Sequence, residues 1–114
     1  MNPAENEYTD AVVKLYLQLP ETPLKPSAND RQTAESIRAR RIALKAVESA
    51  LLLGTIRRLS RSPDRPPLSP IRSLAYFLPV VEEMLFDQVP NDYLDYLRKK
   101  VRLLSGRGKI IKSR

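Results

Sequence analysis

The chain contains no cysteine and no histidine, and these two absences exclude much of enzyme chemistry. Without cysteine there are no disulfides, thiolate metal sites or cysteine nucleophiles, and a reducing compartment is the natural setting. Without histidine the commonest general base and the commonest metal ligand are missing. We therefore expect a non-enzymatic protein that holds no metal and no cofactor.

Long apolar runs are also lacking. No stretch approaches the roughly 18 consecutive apolar residues of a membrane span, and the first residues lack the basic and apolar regions of a signal peptide. The sequence thus predicts a cytoplasmic protein without a membrane partner. Its 114 residues suit one domain, long enough to bury about two thirds of the unfolded chain's surface around one core.

Positive charge, by contrast, is abundant and unevenly distributed. Lysine and arginine number 20 against 13 aspartate and glutamate residues, which gives a formal net charge of +7. Residues 1–30 are acidic, the span 31–72 is strongly basic, and no acidic residue follows Arg98. Such asymmetry is typical of a protein with a polyanionic partner, usually nucleic acid and sometimes an anionic membrane or an acidic protein. A charged surface that serves only solubility is the alternative.

The stretch 41–59 has the most extensive apolar helical pattern in the chain. Two rows of apolar residues recur at helical spacing and leave little polar surface in its middle. Gly54 interrupts them at a cost of roughly 1 kcal/mol relative to alanine in a lone helix, which makes sense if another helix crosses closely there. We therefore predict a central helix that is buried on several sides.

The N-terminal part predicts one helix and an extended arm. Apolar residues at helical spacing indicate a helix over about residues 6–19. Three prolines then forbid helix over 19–26, because each lacks an N–H and pushes its predecessor toward extended geometry. We expect this arm to lie over the core, with Leu24 as its anchor.

A surface helix is predicted after the arm. Ser27 followed by Asp30 resembles a capping box with Asp in place of the usual Glu. Ala34 and Ile37, with Ala39 or the aliphatic stem of Arg41, are expected to face inward from this helix over the span 28–40. A short turn then leads into the central helix, so that the two form an αα-hairpin or a helix-turn-helix.

A proline-rich, charged and therefore exposed loop should follow the central helix. Ser69 and Pro70 then predict an N-cap and a first helical residue. Pro79 interrupts the helix that they begin, so we expect a kink or two helices within 70–87. Leu85 belongs to its expected buried face.

The last helix is predicted from Pro90 through Leu104, with Gly106 as the glycine that ends it. An acidic first turn and basic last turns complement its dipole. Residues 107–114 are basic and poor in apolar side chains, so we expect a mobile tail. The predicted fold is all-α, with a single small domain of about five helices over 1–106 around the central buried helix, followed by that tail.

Basic residues in three groups are the candidate nucleic-acid ligands. They lie at the junction before the central helix, at the end of that helix with the following loop, and on the last helix with the tail. Guanidinium groups donate bidentate bonds to phosphate, and unpaired basic tails bind nucleic acid by releasing counterions. The predicted contacts are Arg38, Arg40, Arg41, Lys45, Arg57, Arg58, Arg61, Arg65, Arg72, Arg98, Lys99, Lys100, Arg102, Arg107, Lys109 and Lys112.

Other interpretations of these residues stay open. Major-groove reading is disfavoured because the second helix of the pair is nearly all apolar. Arginines of the second group can instead satisfy the last helix carbonyls or pair with Asp64 and Glu82. Tyr93 and Tyr96 can stack on unpaired bases or pack in the core. A cation site is the least favoured idea, since solubility and the helix dipole also explain its acidic residues. These are Glu82, Glu83, Asp87, Asp92 and Asp95.

Two short motifs carry a family resemblance. Residues 47–50 have the form Val-x-x-Ala within an apolar helix that follows a surface helix. Tyr76, Val80 and Met84 stand at the spacing of a Tyr, an aliphatic residue and a Trp in a later helix of the family, with Met for Trp and a proline inserted. In these features the region 30–85 resembles the helical module of DnaD-type primosomal proteins, which recurs in replication proteins of phages and mobile elements. The resemblance implies binding of single- or double-stranded DNA and contact with replication proteins.

These observations predict a nucleic-acid-binding accessory protein of replication or of a mobile genetic element. We expect contacts with phosphates rather than bases, and DNA rather than RNA as the ligand. Replication or recombination proteins are expected partners, and an oligomer stays open. The alternative is a non-enzymatic protein-interaction adaptor whose basic faces dock an acidic partner.

Overall fold

The computed structural model describes residues 3–86 and 90–108, which form helices joined by turns and loops, without a β-strand in those ranges. A short 3₁₀-helix, Leu74–Phe77, runs directly into the fourth α-helix. The predicted all-α class is confirmed. The five α-helices are α1 (Pro3–Leu17), α2 (Ala28–Ala39), α3 (Leu44–Leu59), α4 (Leu78–Phe86) and α5 (Asn91–Gly108).

Helix α3 lies at the centre and packs against α1, α4, α5 and the 3₁₀-helix. Apolar residues are buried on several of its sides, and so are the hydroxyls of Ser49 and Thr55. These hydroxyls donate to the carbonyls of Lys45 and Leu51 one turn earlier, both at 2.8 Å, so each is satisfied within the helix. The predicted central helix, buried on several sides, is confirmed.

At Gly54, the ring of Phe77 from the 3₁₀-helix packs directly against the backbone of α3. A Cβ atom at this position would lie 2.8 Å from Cδ1 and 2.9 Å from Cε1 of Phe77, well inside the separation of roughly 3.5–4.0 Å at which carbon atoms attract. Phe77 is fully buried, and its ring meets that of Tyr16 edge-on with centroids 6.2 Å apart. The predicted close crossing is confirmed, and the crossing element is the 3₁₀-helix.

The arm after α1 differs from the expectation. Leu24 is 65% exposed, so the prediction that it anchors the arm is wrong. Leu19 is buried instead, and its carbonyl accepts the hydroxyl of Thr22 at 2.7 Å. Glu21 adopts a positive φ of 66°, and its carbonyl accepts the amide of Ile71 at 3.1 Å. A tight turn bonded to distant backbone therefore holds the arm, where the sequence suggested an apolar contact.

Helix α2 begins at the predicted capping box. The Ser27 hydroxyl accepts the Asp30 amide at 3.1 Å, and Asp30 Oδ2 accepts the Ser27 amide at 3.0 Å. The other carboxylate oxygen of Asp30 accepts the amide of Leu74 at 2.9 Å, which joins this helix end to the 3₁₀-helix. Ala34 and Ile37 face inward as predicted, whereas Ala39 and Arg41 are exposed. Asp30 thus satisfies both a local cap and a long-range contact.

The helix predicted to begin at Ser69 and Pro70 is absent there, and that prediction is wrong. The chain stays extended until Ser73, whose hydroxyl caps the 3₁₀-helix. One reason is that the amide of Ile71 is already bonded to the turn after α1. Of the two expected outcomes, a kink or two helices, the structure shows two helices, because the 3₁₀-helix gives way to α4 next to the proline. Leu85, predicted to be buried, is 44% exposed.

Helix α5 packs chiefly against α3. Leu94, Leu97 and Val101 form its buried face. The helix continues to Gly108, so Gly106 does not end it and the first residues assigned to the tail are helical.

Tyr16 buries a hydroxyl that finds no hydrogen-bond partner among residues 3–86 and 90–108. Burial, with the nearby charge of Asp30, raises the pKa of Tyr16 to about 12, so the phenol stays protonated at neutral pH. Because an unsatisfied buried polar group costs about 1–3 kcal/mol, Tyr16→Phe is expected to maintain the free energy of unfolding or raise it by about 1 kcal/mol. Urea unfolding checks this, and a clear loss of stability would contradict it.

Candidate nucleic-acid interface

Two predicted phosphate contacts are arginines that bind acids on α4. Arg40, at the end of α2, donates to both oxygens of Glu82 at 2.6 and 3.2 Å. Arg57, on α3, donates to both oxygens of Glu83 at 2.8 Å. These bidentate hydrogen bonds lower the pKa of each glutamate. These two ion pairs therefore join α4 to the end of α2 and to α3.

Two more of the predicted contacts also bind glutamates, one on another helix and one on the same helix. Arg98 on α5 donates to both oxygens of Glu48 on α3 at 2.8 and 2.9 Å. Arg38 pairs with Glu35 within α2 at 2.6 Å, and the hydroxyl of Thr9 on α1 donates to the same carboxylate at 3.0 Å. The hydrogen bond from Arg38, with that from Thr9, lowers the pKa of Glu35. Arg98 thus joins α5 to α3, while Arg38 and Thr9 both bind the carboxylate of Glu35, through which Thr9 joins α1 to α2.

Arg58 was predicted as a phosphate contact, but its side chain is only 6% exposed and therefore does not point into solvent. One guanidinium nitrogen donates to Oε1 of Glu21 at 2.6 Å and to the carbonyl of Ser69 at 2.8 Å. The second terminal nitrogen donates to the hydroxyl of Tyr76 at 3.2 Å, and the guanidinium carbon lies 5.3 Å from the centroid of that ring. Arg58 therefore holds together the end of α3, the turn after α1 and the segment before the 3₁₀-helix.

The acids that bind these arginines were not those considered from the sequence. Asp64 and Glu82 were the suggested partners of the second group, whereas Arg57 binds Glu83 and Arg58 binds Glu21. Glu82 is bound by an arginine from α2. No local pattern marks such pairs, because the two residues of each pair lie on different elements.

A second set of predicted contacts has no carboxylate partner within the ranges that the structure describes. We call the three that follow α3 the loop cluster and the three on α5 the helix cluster. All are exposed or half-exposed. The loop cluster is Arg61, Arg65 and Arg72, and the helix cluster is Lys99, Lys100 and Arg102.

The remaining predicted contacts lie at the start of α3 or near the end of the chain. Arg41 is exposed with a positive φ of 59° in the turn between α2 and α3. Lys45 is exposed on the first turn of α3. The backbone of Arg107 belongs to α5, but its side chain lies outside the described part of the structure, as do Lys109 and Lys112 entirely.

Two residues of the loop cluster border a notch of about 470 Å³ between the loop and the turn after α1. Arg61 and Arg65 line it together with Arg58 and Glu21. Arg61 also donates to the carbonyl of Pro66 at 2.9 Å, which fixes the loop around the notch. Because Arg58 and Glu21 compensate each other, Arg61 and Arg65 give the notch a net positive charge.

The outer face of α5 combines aromatic and basic side chains. The rings of Tyr93 and Tyr96 stack with centroids 6.1 Å apart and planes 19° from parallel. Tyr96 is 55% exposed, while Tyr93 is half-buried against the core. Lys99 and Lys100 follow within one turn of Tyr96 and lie beside it on the helix surface.

Residues that carry the DnaD-type resemblance contribute to packing. Val80 and Met84 are buried on α4, whereas Tyr76 belongs to the 3₁₀-helix and meets the ring of Phe77 edge-on at 5.1 Å. Comparison of the chain with protein families, curated proteins and solved structures found no match. The family resemblance therefore stays a prediction.

The described ranges 3–86 and 90–108 contain neither a membrane span nor a metal-binding cluster of side chains. Helices long and apolar enough to cross a bilayer do not occur in this part of the chain. Clusters of three acidic residues that could hold a metal ion do not occur there either. Of the acidic residues considered for a cation site, Glu82 and Glu83 bind arginines, and Asp87 lies outside the described residues.

Proposed function

We propose that the protein is a non-enzymatic nucleic-acid-binding accessory protein that contacts phosphates through the loop cluster and the helix cluster. The observation that carries the proposal is the division of the basic residues. Arginines on the helix-packing surfaces are paired with acids, whereas both clusters stay exposed without an acidic partner in the described ranges. Unpaired cations of this kind release counterions when they neutralise phosphates.

The choice of DNA and the biological setting rest on the DnaD-type resemblance. On that basis we propose a cytoplasmic role in replication or in a mobile genetic element, together with replication or recombination proteins. The position of α3 supports backbone contact over base reading, because contacts with α1, α4 and α5 occupy much of the surface that a recognition helix would present to a major groove.

Electrostatic binding predicts a definite dependence on salt. If all six cluster residues neutralise a phosphate, log K should fall with log salt at a slope of about −5 for duplex DNA and about −4 for single strands. Fluorescence anisotropy with labelled oligonucleotides between about 0.05 and 0.3 M salt measures the slope. A slope near zero would contradict phosphate neutralisation.

Variants of equal charge separate a localised interface from a general effect of net charge. One triple variant changes the loop cluster to glutamine, and a second changes the helix cluster. A matched control changes Lys14, Lys25 and Arg31, which are also exposed, so each of the three proteins has a formal net charge of +4, from +7 minus 3. Each cluster variant should make the slope about 2–3 units shallower, whereas the control should retain the wild-type slope. Equal losses in all three would contradict the interface.

The adaptor function is favoured by a different observation. Phe86 is 91% exposed and Leu85 is 44% exposed at the end of α4, where apolar side chains are available to a protein partner. If single-stranded DNA, duplex DNA and RNA all fail to bind near physiological salt, this function replaces nucleic-acid binding. The acidic partner would then be expected at the same basic clusters.

A further inference from the structure

The stacked tyrosines of α5 form an aromatic surface with one open side. Tyr93 is half-buried against the core cluster, and Tyr96 lies nearly parallel to it at 6.1 Å. The two ring centroids lie 6.1 Å apart, so Tyr93 leaves much of the Tyr96 ring uncovered, and Tyr96 is 55% exposed. The ring is therefore available to a ligand on the side that faces solvent.

The neighbouring Tyr93 ring limits the orientations of Tyr96 before a ligand binds. Tyrosine has only two side-chain torsions, and contact with a packed neighbour restricts them further. Tyr93 is in turn positioned by α5, whose buried residues pack on α3. A flat ligand that stacks on Tyr96 would thus lose little of its binding energy to ordering of the protein.

Charge is distributed asymmetrically around Tyr96. Lys99 and Lys100 lie three and four residues further along α5, which places them beside the ring on the helix surface. Asp92 and Asp95 lie on the other side, toward the start of the helix, and Asp95 is 3.4 Å from Arg98. A ligand with an aromatic face on Tyr96 and an anion toward the end of α5 matches this arrangement.

We propose that Tyr96 is a stacking platform for an unpaired DNA base, with the adjoining phosphates held by Lys99 and Lys100. This proposal rests on the nucleic-acid-binding function proposed above and specifies the form of the ligand. An unpaired base offers its π-face to an aromatic ring, whereas in a duplex both faces are covered by neighbouring base pairs. The protein should therefore prefer single-stranded over duplex DNA, with little preference for base identity.

An abasic strand separates stacking from phosphate contact, because it keeps the phosphates and lacks the bases. The full chain is titrated with a labelled 12-nucleotide oligothymidine, with the same length of tetrahydrofuran abasic strand and with a 12-base-pair duplex. One base stacked on an aromatic ring corresponds to roughly 10-fold in affinity. We expect the wild-type protein to bind oligothymidine about 10-fold more tightly than the abasic strand.

Two substitutions test whether Tyr96 is the residue responsible. Tyr96→Phe keeps an aromatic face and should retain the preference for oligothymidine, whereas Tyr96→Leu keeps the apolar volume without a π-face and should reduce the preference to less than about 2-fold. Circular dichroism verifies that both variants are as helical as the wild type. Retention of the preference in Tyr96→Leu would overturn the assignment to Tyr96.

The outcomes distinguish failure of the stacking platform from failure of nucleic-acid binding itself. Equal wild-type affinity for oligothymidine and the abasic strand would overturn the stacking platform, while phosphate binding would still stand. Failure to bind any of these three DNA probes would overturn DNA binding and the platform with it. Tighter binding to the duplex than to oligothymidine would also overturn the platform.

Discussion

Gly54→Val is expected to lower the free energy of unfolding by about 3 kcal/mol, near the upper end of the usual cost of overpacking a core. The new Cβ would lie within 2.9 Å of two ring carbons of Phe77, and the γ-carbons would add further contacts. Phe77 cannot easily move aside, because its fully buried ring also packs edge-on against Tyr16 and Tyr76. Urea unfolding followed by circular dichroism measures the loss.

A smaller substitution tests the same contact through its sign. Alanine is the better helix former by about 1 kcal/mol, so Gly54→Ala would stabilise an unobstructed helix. We expect a net loss here, because the methyl group meets the ring of Phe77. In a Phe77→Leu background the facing aromatic carbons are gone, and Gly54→Ala should cost less than in the wild type. Equal costs in the two backgrounds would contradict the predicted clash.

Arg58→Met should lower the free energy of unfolding by about 2–3 kcal/mol, somewhat less than the loss from breaking a fully buried ion pair. The substitution keeps an aliphatic stem but removes the donors to Glu21, Ser69 and Tyr76. Glu21 retains some contact with water because its side chain is 35% exposed, which limits the loss. Thermal and urea unfolding would both report it.

The adjacent arginine provides the matched control. Arg57 and its partner Glu83 are about half exposed, so Arg57→Met should cost no more than about 1 kcal/mol, as for other surface ion pairs. Equal losses for the two variants would contradict the structural role of Arg58. If Arg58→Met instead weakened nucleic-acid binding without loss of stability, Arg58 would be a phosphate contact, as its position in the sequence first suggested.

Most helices could be predicted from the sequence, because the signals that specify them are local. Apolar residues on several sides of 44–59 indicated a central helix, and Ser27 with Asp30 indicated the start of α2. Gly54 indicated a close crossing because a glycine inside a helix needs a reason. Each of these signals is contained within a few turns of the chain.

Two local predictions failed where distant contacts decide the conformation. Leu24 was predicted as an anchor because it is an apolar residue in a proline-rich arm. The turn before it is instead held by the hydroxyl of Thr22 and by the hydrogen bond from the Ile71 amide to the Glu21 carbonyl. Ser69 and the proline after it had the pattern of a helix start. In the structure, however, the Ser69 carbonyl accepts a hydrogen bond from Arg58, and the Ile71 amide donates to the same turn. In both places a backbone group on another part of the chain outweighs the local preference.

The candidate site could be predicted only as a set of basic residues. Whether an arginine keeps its charge available depends on whether an acid from another helix lies opposite, and this follows from the packing. Arg57 and Arg58 are neighbours in sequence, yet one is half exposed and the other is almost completely buried. The Tyr93 and Tyr96 pair is different, because residues three apart in a helix share a face and could be recognised from the sequence.

The turn after α1 places two opposing requirements on the identity of residue 21. Its positive φ favours glycine, asparagine or aspartate, since longer side chains seldom adopt this backbone conformation. The guanidinium of Arg58, however, lies 2.6 Å from a carboxylate oxygen that only the length of a glutamate side chain brings there. Aspartate would suit the backbone and fall one methylene short, while glycine would offer no carboxylate at all. Glu21 therefore keeps its ion pair with Arg58 despite an unfavourable backbone conformation. A substitution that relieves the backbone loses the ion pair.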